Sequence, residues 1–257
     1  MWKHIARIPG SILLAALLAL PLAAQHHPHQ PNPQDLKMQQ AVNQELGKHS
    51  YSKNVQAVVD DQIATLSGSV DCYRDKLRAA RAIRKTPGLQ GTRNQITVGG
   101  KTVADDVLRE QIAKKLRTDR VGQGNTFNSF TLDVRQGVVT LGGDARTDVD
   151  RDSALALVQD TCGVKDVVNQ VRVLPTSIFD DRIRAAVARA VYGDPVLQKY
   201  AIDPQQPIRI VVDHGHVTLT GVVNSAMDSQ VAEIRAKEVP GVFSVTNKLV
   251  VPGKGVR

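Results

Sequence analysis

Aromatic residues make up only 4% of this 257-residue chain. Stretches that bind single-stranded nucleic acid interleave basic and aromatic side chains, and no such interleaving occurs here despite a formal net charge of +8. Beyond the N-terminus no apolar run approaches the roughly 20 residues needed to cross a bilayer. Neither of the two cysteines lies at the end of the N-terminal apolar segment, where a lipid anchor would be attached. Catalytic constellations are missing too. The stretch Gly99-Gly100-Lys101-Thr102 ends like a phosphate-binding loop, but Gln95 stands where the motif needs its first glycine. Gly122-Gln123-Gly124 has no third glycine, and no Ser–His–Asp order stands out. These absences argue against an enzyme and against a nucleic-acid partner, and they call for no cofactor and no metal.

The first 24 residues combine a basic start at Lys3 and Arg7, an apolar stretch from Ile12 to Leu20 and small residues at the end. That is the layout of a cleaved secretory signal peptide (residues 1–24), which places the mature protein in a bacterial periplasm. Residues 25–35 read as a Pro/His-rich linker that cannot bury a core. His27 would become the third residue after cleavage, a position suited to square-planar copper or nickel, but a solvated linker is the simpler reading.

The remainder repeats itself. Gly68, Gly143 and Gly221 each stand 20 residues before a second glycine (Gly88, Gly163, Gly241), and each of these stands six before an asparagine (Asn94, Asn169, Asn247). Spacing held three times marks internal repeats, here modules 36–98, 103–174 and 178–252. Each opens with a helix whose apolar residues recur every fourth position: Met38, Val42, Leu46; Leu108, Ile112, Leu116; Ile183, Val187, Val191. Asp105–Asp106 and Asp180–Asp181 suit the first helical turn, where the dipole favours negative charge.

Two alternating strands follow, with Ala57, Val59, Ala64, Leu66 and their counterparts Leu132, Val134, Val139, Leu141 and Ile210, Val212, Val217, Leu219 facing inward. Gly137 and Gly215 supply tight turns, whereas Asp61–Gln62 predicts a less regular hairpin in the first module. Thr147 and Ser225 are expected N-caps of a second helix, with Asp150 and Asp228 three residues on. Gly88, Gly163 and Gly241 are expected to end that helix before a third strand. The fold class is α+β: three tandem αββαβ modules, each with two helices on a three-stranded mixed sheet. The six glycines and three asparagines are read as structural.

Cys72 stands where the sister modules have Thr147 and Ser225, and Cys162 where they have Pro87 and Pro240. A disulfide between them would close a loop of about 90 residues, contributing about 4–5 kcal/mol in the chain-entropy model. It would require the two second helices to meet head to tail. Free or intermolecular thiols are the alternative. His214 and His216 straddle the third hairpin turn beside Asp213 and read as solvated turn residues.

Charge is unevenly spread. The first module carries ten Lys/Arg against five Asp/Glu, the second ten against eleven and the third eight against eight. Arg74, Arg78, Arg81 and Lys85 fall at i, i+4, i+7 and i+11, one stripe on the second helix of the first module, with Lys76 and Arg84 nearby. Such a stripe can rest on anionic headgroups at about 1 kcal/mol per charge, or it is simply a solvated face.

The repeated TLxG phrase, the glycine 20 residues later and the endings GVFSVTNKLVV and GVKDVVNQVRV, with the looser GLQGTRNQITV, resemble the BON domain of bacterial envelope proteins. Signal peptide plus BON repeats is similar to the osmotically inducible periplasmic proteins. The resemblance implies a non-enzymatic protein that associates with anionic phospholipid membranes and supports envelope integrity under osmotic or other stress. On that expectation Arg74, Arg78, Arg81 and Lys85 contact headgroups. The alternative is a protein-interaction or chaperone-like adaptor that binds other envelope proteins by strand addition or through helix faces.

Overall fold

The computed structural model describes residues 32–118, 126–202 and 207–252, so the segment read as a signal peptide, and His27 with it, lies outside the described residues. Each module follows the same path. In module 1, α1 (Pro33–Gly47) precedes β1 (Val55–Asp60), β2 (Ile63–Val70), α2 (Tyr73–Ile83) and a third strand in two pieces, β3 (Gly91–Asn94) and β4 (Thr97–Val98). Module 2 runs α3 (Asp105–Thr118), β5 (Ser129–Arg135), β6 (Val138–Ala145), α4 (Asp148–Gln159) and β7 (Asp166–Val173). Module 3 runs α5 (Ile178–Tyr192), the one-turn α6 (Lys199–Ile202), β8 (Arg209–Asp213), β9 (His216–Val222), α7 (Ala226–Lys237) and β10 (Ser244–Val250).

Every sheet is mixed. The first two strands pair antiparallel through a two-residue turn, and the third joins the second in parallel, leaving the second strand central. The helix between second and third strands is the crossover a parallel pair requires. The inward alternation holds: Ala64, Leu66, Val139, Leu141, Ile210, Val212 and Leu219 are fully buried, under a helix face made by Val42, Leu108, Ile112, Val187 and Val191. α1 begins at Pro33, within the 25–35 stretch, because the Asn32 side chain accepts a hydrogen bond from the Gln34 amide and proline fits the first helical position.

The first hairpin is as regular as its sisters. Asp60 pairs with Ile63 just as Arg135 pairs with Val138 and Asp213 with His216. Asp61 and Gln62 both take positive φ, as do Gln136–Gly137 and His214–Gly215. The expectation of irregularity fails because Asp tolerates the left-handed region and because the turn is held from outside. Asp35 accepts hydrogen bonds from the Asp61 and Gln62 amides at 3.2 and 3.0 Å. Asp105 does the same for Gln136 and Gly137 at 2.7 and 2.9 Å, and Asp180 for His214 and Gly215 at 3.0 and 2.8 Å. A carboxylate in the first turn of each opening helix thus clamps its hairpin, a stronger role than complementing the dipole. The two amides hold the Asp105 carboxyl below its ordinary pKa.

Two glycine sets do different jobs. A Cβ on Gly68 or Gly143 would stand 2.0 Å from the carbonyl oxygen of Asn54 or Ser129, so the second strand can pass its neighbour only as glycine. Gly88, Gly163 and Gly241 have positive φ, but they lie four to five residues beyond the helix ends at Ile83, Gln159 and Lys237. They turn the chain into the third strand rather than cap the helix, a correction to the sequence reading. Each asparagine accepts from the amide two residues on (Ile96, Val171, Leu249), and Asn94 and Asn247 also donate to a carbonyl of the second helix at Lys76 and Ser229.

The modules share their cores. Tyr73, the first residue of α2, packs with Leu108, Ile112, Val158 and Val164 of module 2. Phe127, just before β5, packs with Val187, Ile208 and Leu219 of module 3. Beside Tyr73, Cys72 and Cys162 are disulfide-bonded with Cα atoms 5.0 Å apart, bringing the start of α2 against the turn after α4.

A basic face and groove on module 1

Thr147 and Ser225 cap α4 and α7 by accepting from the Asp150 and Asp228 amides at 3.1 Å each. Cys72, the equivalent cap of α2, makes no such bond. Its sulfur is committed to module 2, and that bond fixes which way α2 presents its charged side.

The stripe does not survive as one row. Arg74 is half-buried, its Nε without a hydrogen-bond partner and 3.9 Å from an Asp75 oxygen. Arg78 also faces Asp75, at 3.5 Å. Arg81 is exposed and unpaired among the described residues, while α2 ends at Ile83, so Lys85 sits in the following turn rather than on the helix. The row of four therefore becomes two cations sharing one carboxylate and two freely exposed ones. Sequence reasoning had set Arg84 to one side. It caps the helix, is exposed, and lies with Arg81 along a groove of about 430 Å³. Leu77, Ala80 and Leu89 supply the groove's apolar surface, and Gly91 and Thr92 its far wall.

The groove's far wall is the stretch of β3 that departs from its sisters. Thr92 aligns with Val167 and Val245, which pack onto the cores of modules 2 and 3, and Gly91 aligns with the exposed Asp166 and Ser244. The signal was present in the loose fit of GLQGTRNQITV to the other endings. Module 3 has a groove of about 490 Å³ lined by Arg235, but that guanidinium donates to Asp194 at 2.8 Å and to Glu238 at 3.0 Å. Asp194 and Glu238 thus stand in the module 3 groove beside Arg235 and Arg189, whereas the module 1 groove is lined by Arg81 and Arg84 with no carboxylate among its described lining residues. His214 and His216 have local partners: Asp213 at 2.6 Å and the Ser244 hydroxyl at 2.8 Å.

Three αββαβ modules in series define a repeat protein of small α+β modules. The chain matches the BON domain model over residues 34–100, 104–175 and 179–253, and it belongs to the BON domain family. BON domains bind phospholipids and are generally non-catalytic. No curated protein matches the chain. Among solved structures, it is similar to the C-terminal domain of CdsD, the structural protein of the type III secretion system of Chlamydia trachomatis, at 12% identity and a TM-score of 0.24, covering 82% of this chain and 94% of that one. The periplasmic domain of the type III secretion inner membrane protein PrgH from S. typhimurium gives 12% identity and a TM-score of 0.18, with coverage of 81% and 99%. At such TM-scores nothing about fold or function follows from the likeness. No helix among the described residues is long and apolar enough to cross a membrane.

Proposed function

We propose that this chain is an exported, non-enzymatic protein of the bacterial periplasm that associates with anionic phospholipid and supports the envelope under osmotic or other stress. Its lipid contact is the basic face and groove of module 1. The observation that carries this reading is the group Arg81, Arg84 and Lys85: three exposed cations at one end of α2, with no carboxylate paired to them among the described residues, beside an apolar groove. Near an anionic surface each contributes about 1 kcal/mol, and long arginine stems lie readily along apolar boundaries. Arg74 and Arg78 contribute less, because Asp75 already neutralises part of their charge. Family membership supports the same reading, and tandem modules on one chain gain avidity from weak single contacts.

The test is co-sedimentation with phosphatidylglycerol and phosphatidylcholine vesicles at low and high salt. Wild type runs beside a variant carrying Arg78→Glu, Arg81→Glu, Arg84→Glu and Lys85→Glu. Binding confined to phosphatidylglycerol, weakened by salt and lost in the variant, is expected. Undiminished binding by the variant discards these residues, and no binding to either vesicle discards the lipid. A second reading, a protein-interaction adaptor, is favoured by the exposure of Phe179 (74%) and Phe243 (78%) on module 3. Partner capture that persists at high salt without lipid would support it.

A further inference from the structure

In module 3 the gap between the second helix and the third strand carries its own carboxylate. Glu233 of α7 pairs with Lys237 one turn on at 2.6 Å and accepts a hydrogen bond from the Asn247 amide of β10 at 3.1 Å. Counting from the capping residues Cys72, Thr147 and Ser225, the equivalent of Glu233 is Ala80 in module 1 and Leu155 in module 2. The equivalent of Lys237 is Arg84 in module 1 and Gln159 in module 2. Module 2 therefore has bulk and no cation here, with Leu155 packed on its core. Module 1 keeps the cation and omits both the carboxylate and the bulk.

What module 1 omits is one connected space. Arg81 and Arg84 both line the groove and are exposed, and Leu77, Ala80 and Leu89 lay apolar surface beside them. Cations near a helix C-terminus are favoured by its dipole, yet α4 has none in its last turn and folds the same way. The dipole therefore does not require this group. Guanidiniums form charge-assisted bonds to carboxylate or phosphate oxygens, and the apolar floor favours methylene groups. The groove's volume of about 430 Å³ lies toward the small end of the roughly 300–1,000 Å³ of ligand pockets. It suits one alkyl chain rather than the two of a diacyl lipid.

We propose that this groove binds a single-chain anionic amphiphile as a monomer. Its carboxylate or phosphate is held by Arg81 and Arg84, doing for module 1 what the Glu233 carboxylate does for module 3, and its alkyl chain lies over Leu77, Ala80 and Leu89. The inference rests on the lipid reading of this same face and narrows it: the ligand is a fatty carboxylate or a lysophospholipid in water, rather than a lipid seated in a bilayer. The class of reaction that supplies such ligands is ester hydrolysis of a diacyl phospholipid. Water cleaves one acyl C–O bond, its oxygen stays with the fatty acid, and the lysophospholipid leaves as the alcohol. Both products are detergents, so their capture fits a protein that supports the envelope.

Calorimetric titration of the whole chain tests the groove, with octyl, decyl and dodecyl phosphate below their micelle-forming concentrations and dodecyl maltoside as the uncharged control. Wild type should bind dodecyl phosphate at least about tenfold more tightly than dodecyl maltoside. Each two added carbons should tighten binding by roughly fourfold, less than full burial would give because one side of the groove faces water. Ala80→Leu gives module 1 the side chain of module 2 and leaves every cation in place. It should fold and sediment with phosphatidylglycerol vesicles like wild type, but bind dodecyl phosphate about tenfold more weakly or worse. Ala80→Glu installs the module 3 carboxylate one turn before Arg84 and should lose dodecyl phosphate as well. Equal affinity for the maltoside, no dependence on chain length, or either variant binding dodecyl phosphate like wild type overturns the proposal. If Ala80→Leu loses vesicles and monomer together, the chain comes from the bilayer and the monomeric ligand is discarded. The lipid reading itself fails only if wild type ignores phosphatidylglycerol vesicles.

Discussion

The two junctions between modules are built from different materials. Between modules 1 and 2 the chain uses one covalent bond, Cys72–Cys162, with Tyr73 inserted beside it into the module 2 core. Between modules 2 and 3 it uses Phe127 in the module 3 core and a set of polar contacts. Arg146 reaches Asp181 at 3.1 Å, Arg172 bridges Asp144 and Asp213 at 2.8 and 2.7 Å, and the Ser129 and Thr220 hydroxyls are 2.9 Å apart. Both place one aromatic side chain in the neighbour's core, so apolar burial sets the alignment in each. They differ in what secures it. A disulfide is indifferent to salt and acid but responds to reductant, whereas exposed ion pairs respond to all of the conditions the disulfide ignores.

The largest effect should come from cutting the covalent junction. Replacing Cys72 and Cys162 with Ser should cost about 4–5 kcal/mol by the chain-entropy model, read as a fall in Tm that reductant reproduces in wild type but not in the variant. Phe127→Ala should come next, at about 3 kcal/mol, since it opens a cavity in the module 3 core. That loss should be insensitive to reductant and should appear as earlier protease cleavage or faster amide exchange in module 3. Asp180→Ala, which releases two backbone amides of the third hairpin turn, should cost about 2 kcal/mol and expose His214 and Gly215 amides to exchange. Arg172→Ala should be the smallest, below about 1 kcal/mol, because its side chain is 58% exposed.

Acid sharpens the same contrast. Burial alone would raise the Asp213 pKa, but hydrogen bonds from Arg172 and His214 outweigh it and hold the carboxyl below its ordinary value. A folded-state pKa below the unfolded one means that the stabilisation is complete above about pH 4 and is lost as pH falls through the folded value. Acid titration followed by amide exchange should therefore loosen the junction of modules 2 and 3 while modules 1 and 2 stay tethered. Simultaneous release of both junctions would show that the ion pairs do not secure the second one.

The repeat, the five elements of each module and their inward faces were legible because each depends on residues close together in sequence. Period-two strands, four-residue helical steps and glycine spacing act within one module. What misled was local as well. Asp61–Gln62 looked irregular because the clamp on it comes from Asp35, 26 residues away. The basic row on α2 looked continuous because helical spacing cannot say where a helix stops or which cation a neighbouring Asp75 has already engaged. Arg84 and the groove escaped because they depend on how far β3 lies from α2.

The sequence by itself determined three αββαβ modules of the BON family, their turn residues and the excess of positive charge in the first. Tertiary structure alone decided which modules share a core and which cations of α2 a carboxylate engages. Patterning encodes which face of an element is apolar, since burial of apolar surface has no direction and depends on little else. The placement of one module against the next rests on single residues such as Cys72 and Phe127, and a broken pattern names a position without naming its partner.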